Sequence, residues 1–240
     1  MAEETIRFYA WGNDAEKQTI APISAEKSVA PYWKELPRFH GEGAEEAIRN
    51  KTAKHGKIHL GLKNCMPFFD AMTAGYQYLL HTDLYVNLEH GLPKVTYASS
   101  LDPFTIRPTF EMPTPHGHYD VHFSWQMWWG IATPPGWSCL ITHPLNRYDL
   151  PFTTVTGIAD FDKYPMPGNL SFHIKDNFEG VIEAGTPIFS IIPIKRAEWD
   201  SKIDPELLRA GQYLADEKRG MAYGNYSKNY REPKVYKSGK

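Results

Sequence analysis

Residues 118–127 read HYDVHFSWQM, and their alternation of apolar and polar side chains decides the fold class. Tyr119, Val121, Phe123 and Trp125 occupy every second position, and polar residues stand between them. Because successive side chains of a strand point to opposite faces of a sheet, this stretch predicts a strand with one apolar and one polar face.

Further strand candidates follow at intervals of about eight to twelve residues, with turn residues between them. They are residues 137–141, 152–158, 170–174, 181–183 and 187–194. The chain also has 19 Pro and 18 Gly, which favours short strands joined by turns over long helices. We therefore predict a mainly β fold, a single compact β-sandwich or barrel with a few short helices and an extended C-terminal arm.

Local patterns predict one helix and one strand, and the sequence as a whole divides into four regions. A helix is predicted over residues 67–74, because Pro67 fits a first-turn position and Gly75 fits a left-handed C-terminal cap. Residues 76–86 are predicted as one strand. The regions are an irregular, extended N-terminal segment packed on the core (1–60), a β-rich core domain (61–200), a helix (201–217) and a basic, Tyr-rich C-terminal arm (218–240).

Charge is unevenly distributed along the chain. The formal net charge is -2, but residues 218–240 contain seven basic residues and one acid, so the arm carries +6 and the remainder -8. An acidic body repels phosphates, whereas a basic arm attracts them. If the protein binds nucleic acid, we expect it to do so through the arm only.

The cysteines and the lengths of the apolar runs indicate where in the cell the protein is expected. Cys65 and Cys139 can pair only once, in a chain long enough to form a core without a disulfide, so we expect both thiols to be reduced and buried. No run approaches the roughly 18 apolar residues of a membrane span, and the N-terminus lacks a signal-peptide pattern. We expect an unexported protein without a membrane segment.

A histidine-rich strand face offers a metal-site hypothesis. Four metal-ligand side chains stand two residues apart and share a face: His116, His118, Asp120 and His122. His118 and Asp120 also fit the first half of a two-histidine, one-carboxylate Fe²⁺ site, which His173 or His143 would complete. The alternative is that this face is simply solvated.

Two fold families share motifs with the chain. His116-Gly-His118, followed by His173 and Asn177, faintly resembles the two cupin metal motifs, which imply a metal-dependent oxygenase. TPPGWSCLITHP (133–144), TGIADFDKY (156–164) and NFEGVIEAGTPIFSIIPIKR (177–196) resemble the order of elements in the dUTPase-like β-fold. That resemblance implies a nucleotide-hydrolysing enzyme with Mg²⁺, in which Asp160 activates water.

One departure from the dUTPase pattern favours a different function. Where that family has a phosphate-gripping Arg-Ser motif, this chain has His143-Pro-Leu-Asn-Arg147. Hydrolysis of a triphosphate requires donors and cations at the phosphates. The sequence therefore favours a non-enzymatic protein with no cofactor, while an enzyme remains the alternative.

Aromatic and basic side chains predict contact surfaces instead. Trp128 and Trp129 are adjacent, so on one strand they point to opposite faces, and an exposed Trp would indicate a protein partner. Tyrosines among cations also stack on bases or pack on acidic proteins. The arm residues predicted to make contacts are Arg219, Tyr223, Tyr226, Lys228, Tyr230 and Arg231.

Scattered motifs resemble one further family. NCMPFFDAMTAGY (64–76), TPPGWSCL (133–140), GIADFD (157–162) and GTPI (185–188) are similar to an uncharacterised family encoded by tailed bacteriophages, notably large marine and cyanobacterial phages. The resemblance implies a virion structural or accessory protein in the host cytoplasm and the virion. Its partners would be other phage proteins or further copies of itself.

Overall fold

A computed structural model gives the fold. It describes residues 4–41, 43–44, 46, 59–209, 211–212 and 225–238, with the backbone alone at residues 59, 60, 225 and 228. The chain divides into two compact units. The β unit comprises Met1–Ala30, Ala71–Arg196 and Tyr236–Lys240, and the second unit comprises Pro31–Asp70 and Ala197–Val235.

Strands dominate the described residues. In chain order they are β1 (Arg7–Ala10), β2 (Ile23–Ser24), β3 (Phe39–His40), β4 (His59–Leu60), β5 (Tyr76–Leu79), β6 (Leu84–Glu89), β7 (Leu92–Tyr97), β8 (Phe104–Arg107), β9 (His118–Gln126), β10 (Trp129–Ala132), β11 (Trp137–Thr142), β12 (Phe152–Thr154), β13 (Gly157–Ala159), β14 (Asn169–Lys175), β15 (Gly180–Ile182) and β16 (Pro187–Lys195). The helices are α1 (Asn13–Gln18), α2 (Pro31–Glu35), α3 (Met66–Met72) and α4 (Asn225–Asn229). Residues 206–209 and 211–212 are also helical, within the predicted helix.

The sheets of the β unit are antiparallel. One has the strand order β13-β11-β16-β5-β2, and another has the order β12-β14-β9-β8. A third has the order β15-β6-β7, and β1 pairs with β10. No sheet in the described part of the chain closes into a barrel. The fold is mainly β, as predicted, and is consistent with a sandwich.

A single hydrophobic core joins the two largest sheets. Trp125 of β9 stacks on Phe172 of β14, with ring centroids 3.5 Å apart and an interplanar angle of 5°. The Trp125 indole N–H donates to the Thr154 hydroxyl (3.0 Å), and that hydroxyl donates to the Ile188 carbonyl on β16 (2.6 Å). One buried hydroxyl therefore links the four-stranded sheet to the five-stranded sheet.

Residues 76–86, which were predicted to form one strand, belong to two strands, β5 and β6. The chain leaves β5 at Leu80, whose N–H donates to the Thr186 carbonyl and whose carbonyl accepts from the Gly185 N–H. The Asp83 carboxylate then accepts the Ala184 N–H before β6 begins. These contacts turn the chain from the five-stranded sheet into the three-stranded sheet.

The predicted helix over residues 67–74 is present as α3, and Gly75 follows it with a φ of +71°. A side chain at Gly75 would strike the Ile191 backbone, so this turn needs glycine for its conformation and for its space. Both cysteines are free thiols, as expected, but only Cys139 is buried. The expectation that Cys65 is buried is wrong, because the loop before α3 leaves it exposed.

The residues that the structure describes contain no helix long and apolar enough to cross a membrane.

Thr154→Val tests the link between the sheets. The substitution keeps the side-chain shape but leaves the Trp125 indole N–H and the Ile188 carbonyl without their buried partner. We expect the free energy of unfolding to fall by about 1–3 kcal/mol in urea titrations. Thr96→Val, at an exposed position of β7, is the matched control and should change it by less than about 0.5 kcal/mol. Equal effects of the two substitutions would contradict the link.

Candidate functional site

Three histidines come together on the face of the four-stranded sheet opposite its core. His122 of β9 lies directly across from His173 of β14, and their rings stack with centroids 5.3 Å apart. The His118 ring lies 6.2 Å from the His173 ring at a steep angle. His122 is 2% exposed and His173 is 1% exposed, so the part of the face around these two rings is covered rather than solvated. We call these three residues the histidine cluster.

Hydrogen bonds within the cluster are incomplete. His118 Nδ1 lies 3.0 Å from the His116 carbonyl, which can only accept, so this nitrogen donates. His118 Nε2 forms a hydrogen bond with the Thr153 hydroxyl at 2.8 Å. In contrast, Nδ1 of His122 and both ring nitrogens of His173 are buried without a hydrogen-bond partner of normal geometry. Such groups are costly to bury when charged.

Burial therefore controls the charge of His173. Desolvation lowers the pKa of His173, and the neighbouring His122 and His118 lower it further. His122 Nε2 lies 3.9 Å from a carboxylate oxygen of Glu111. Arg107 donates two hydrogen bonds to that carboxylate. The surroundings keep the His173 imidazole neutral near pH 7.

The histidine cluster is not arranged around a common point. The lone pairs of an imidazole lie in the ring plane. Because the His122 and His173 rings are stacked, their lone pairs run side by side and do not converge on one point. Asp120 is exposed and accepts a hydrogen bond from Thr114. Across the described ranges, no three His, Cys, Asp or Glu side chains are arranged to hold a metal ion. Of the predicted set His118, Asp120 and His173, the structure brings the two imidazoles together.

Asp160 lies in an ion-pair cluster beside β11. Its carboxylate accepts from the Ser138 hydroxyl (2.6 Å) and from Arg196 Nη1 (3.0 Å). Arg196 also pairs with Asp162, which accepts the Gly136 N–H at 2.9 Å. Ser138 and Arg196 lower the pKa of Asp160, and Arg196 followed by the Gly136 N–H holds the pKa of Asp162 at about 2. A carboxylate stabilised in this way is a weak base for activating water.

The two predicted contact tryptophans are half-buried, and both are hydrogen-bonded within the β unit. The Trp128 indole donates to the Asp102 carbonyl (2.9 Å), and the Trp129 indole donates to the Thr19 hydroxyl (2.8 Å). Both backbone N–H groups donate to the Tyr78 hydroxyl. Burial raises the pKa of Tyr78 to about 12, so it stays protonated. Their role in a partner interface remains a prediction.

Part of the predicted arm is paired inside the second unit. Arg231 Nη2 lies 2.6 Å from a carboxylate oxygen of Asp70, and Lys234 Nζ lies 3.1 Å from the other oxygen. The Arg231 hydrogen bond is the main reason that the pKa of Asp70 is lowered. Tyr226 and Tyr230 are exposed. Arg219, Tyr223 and the side chain of Lys228 lie outside the described residues.

Sequence reasoning missed the most exposed apolar residues of the second unit. Trp199 is 91% exposed and Ile203 is 94% exposed, and Leu207 and Leu208 are also exposed. Trp199, Ile203 and Leu207 stand four residues apart, a spacing visible in the sequence. We call residues 197–208 the exposed segment.

Comparison with known proteins finds no matching family model and no significant match among curated proteins. The resemblances to phage proteins and to the dUTPase-like fold therefore remain predictions.

His173 predicts a pH dependence of stability. The pKa of His173 is lower in the folded state than its unfolded value of about 6.5. Its contribution to the free energy of unfolding is therefore fully present above about pH 6.5 and is lost as the pH falls towards the folded-state pKa. We expect the free energy of unfolding to decrease between pH 7 and pH 5. His173→Phe removes this proton uptake and should flatten the curve by up to about 1.4 kcal/mol per pH unit. The exposed His116→Gln is the control, and an unchanged curve for His173→Phe would contradict the assignment.

Proposed function

We propose that the protein is a non-enzymatic binding protein that contacts a neighbouring subunit through the exposed segment. The observation that carries this proposal is the nearly complete exposure of Trp199 and Ile203. Large apolar side chains at such exposure favour burial against a partner, and tryptophan is among the residues that dominate binding energy at interfaces.

The pattern of the exposed segment indicates what kind of partner it fits. Trp199 and Ile203 lie in an irregular stretch that ends before Pro205, and Leu207 lies in the helical turn that follows. Their exposed side chains offer apolar anchors for a groove on a partner. Residues 198–206 carry four carboxylates and one lysine. The partner surface that suits this segment is an apolar groove with a basic rim, because opposite charges guide association and orient the bound segment.

The other candidate sites support binding rather than catalysis. The Asp160 carboxylate has a lowered pKa and pairs with Arg196, which makes it a poor general base. The stacked imidazoles of His122 and His173 are almost fully buried, so a substrate would reach them only after the covering chain moves. The hydroxyl beside Asp160 belongs to Ser138, which is only 4% exposed, so the Asp160 cluster presents no accessible nucleophile.

We propose, from the motifs that resemble a tailed-bacteriophage family, that this role belongs to a phage assembly. In this proposal the protein is a virion structural or accessory component, made in the host cytoplasm, and its partner is another phage protein. Contacts of the basic, Tyr-rich arm with neighbouring subunits or nucleic acid belong to the same proposal.

Trp199→Ala and Ile203→Ala test this function. Each removes an exposed side chain, so the free energy of unfolding should change by less than about 0.5 kcal/mol. Affinity purification of the tagged chain from infected cells, with quantitative mass spectrometry, should show at least a tenfold loss of the specific partner. Purified particles should likewise lose the variant chain.

Ile158→Ala is the matched control, because Ile158 is 70% exposed on β13 of the β unit. It should keep the wild-type set of partners. Retention of every partner by both exposed-segment variants, or absence of the wild-type chain from particles with no partner recovered, would overturn the proposal.

A further inference from the structure

The β unit has an aromatic groove that the C-terminal residues already occupy. A cavity of about 250 Å³ is lined by Phe8, Tyr76 and Trp129 and also by Lys237 and Ser238. The first three residues belong to different strands of the unit, β1, β5 and β10. We call this the Tyr76 groove, and we call residues 236–238 the tail.

Each of the three tail residues makes a specific contact. The Tyr236 ring packs edge-on against the Tyr76 ring, with centroids 6.0 Å apart. The Tyr76 hydroxyl donates to the Lys237 carbonyl at 3.2 Å, and the Ser24 N–H donates to the Ser238 hydroxyl at 2.9 Å. The groove thus contacts an aromatic ring, a backbone carbonyl and a hydroxyl of three successive residues, as a peptide-binding site does.

The tail leaves part of the site unused. Ser24 lies on β2, the outermost strand of its sheet, and is only 3% exposed. Its hydroxyl is buried without a hydrogen-bond partner, although its N–H binds the tail. The cavity of the Tyr76 groove lies between the tail residues Lys237 and Ser238 and the body of the β unit. The bound tail therefore does not fill the groove completely.

The residue that joins the tail to the preceding chain is exposed. Lys234 is held by Asp70 (3.1 Å), and Val235, between Lys234 and the tail, is non-helical and 66% exposed, so release of the tail breaks no buried contact of Val235. The same sequence in another copy of the chain carries an identical Tyr-Lys-Ser segment that matches the same groove. Exchange of an identical terminal segment between copies replaces each lost contact with an equivalent one.

We propose that the Tyr76 groove is a peptide-binding site for the Tyr-Lys-Ser segment of a second copy of this chain, with the chain's own tail as the intramolecular competitor. This inference deepens the arm contacts of the proposed function and rests on them, but the site shares no residue with the exposed segment. Failure of the tail exchange is therefore distinguishable from failure of the exposed segment, since the variants and the binding partner differ.

A labelled synthetic peptide of residues 232–240, EPKVYKSGK, is the direct probe. Full-length Tyr236→Ala has an intact groove and a weakened tail, so it should bind the peptide. The wild-type chain should bind at least about tenfold more weakly, because its own tail competes at millimolar effective concentration. A peptide with alanine in place of its tyrosine is the control and should not bind.

Two groove variants report on the contacts themselves. Tyr76→Phe in the Tyr236→Ala chain removes the hydroxyl that donates to the tail carbonyl and should weaken peptide binding about 3–10-fold. Ser24→Pro removes the N–H that donates to Ser238. Ser24 has a φ of -56°, which proline adopts without strain, so this variant should fold normally.

Mixing experiments test exchange between copies. Tyr236→Ala lacks a competent tail and Ser24→Pro lacks a competent groove, so each chain alone should be monomeric by sedimentation equilibrium. The mixture should form a one-to-one dimer, and the wild-type chain should dimerise increasingly with concentration. Thermal unfolding checks that every variant is folded. Absence of peptide binding to folded Tyr236→Ala, or a mixture and a wild-type chain that stay monomeric, would overturn the proposal.

Discussion

The stacked pair of Trp125 and Phe172 is the contact on which the β unit depends. It fixes β9 beside β14, and the Thr154 hydroxyl extends its hydrogen bonding to β16 in the other large sheet. Because strand side chains alternate, holding Trp125 in the core places His122 on the opposite face. The side of the sheet on which the histidine cluster lies is thus a consequence of the way in which the aromatic core packs.

The sequence was informative where one short stretch carries the signal. The alternation in residues 118–127 predicted β9, and Pro67 with Gly75 predicted α3. A two-residue period shows which side chains share a face, but it does not show whether a face is covered, so the burial of His122 was not predictable. The pairing of Asp160 with Arg196 joins residues far apart in sequence, and local pattern carries no information about it.

At the C-terminus, too, the sequence pattern shows only part of the picture, because it does not show which charges are paired. The excess of cations after residue 217 is real, yet two of them, Arg231 and Lys234, are paired with the single carboxylate of Asp70 within the second unit. A net charge counts cations that are already paired together with those that face solvent. The apolar exposed segment and the Tyr76 groove, rather than net charge, give the clearest physical reasons for this chain to bind another protein.

The contrast between the two thiols has a practical consequence. Burial raises the pKa of the Cys139 thiol to about 12, so its reactive thiolate is scarce in the folded protein, whereas Cys65 is exposed on the second unit. The natural chain therefore has one addressable position for a thiol-directed dye or spin label. A label there reports on the second unit while the β unit stays unmodified, without any engineered cysteine.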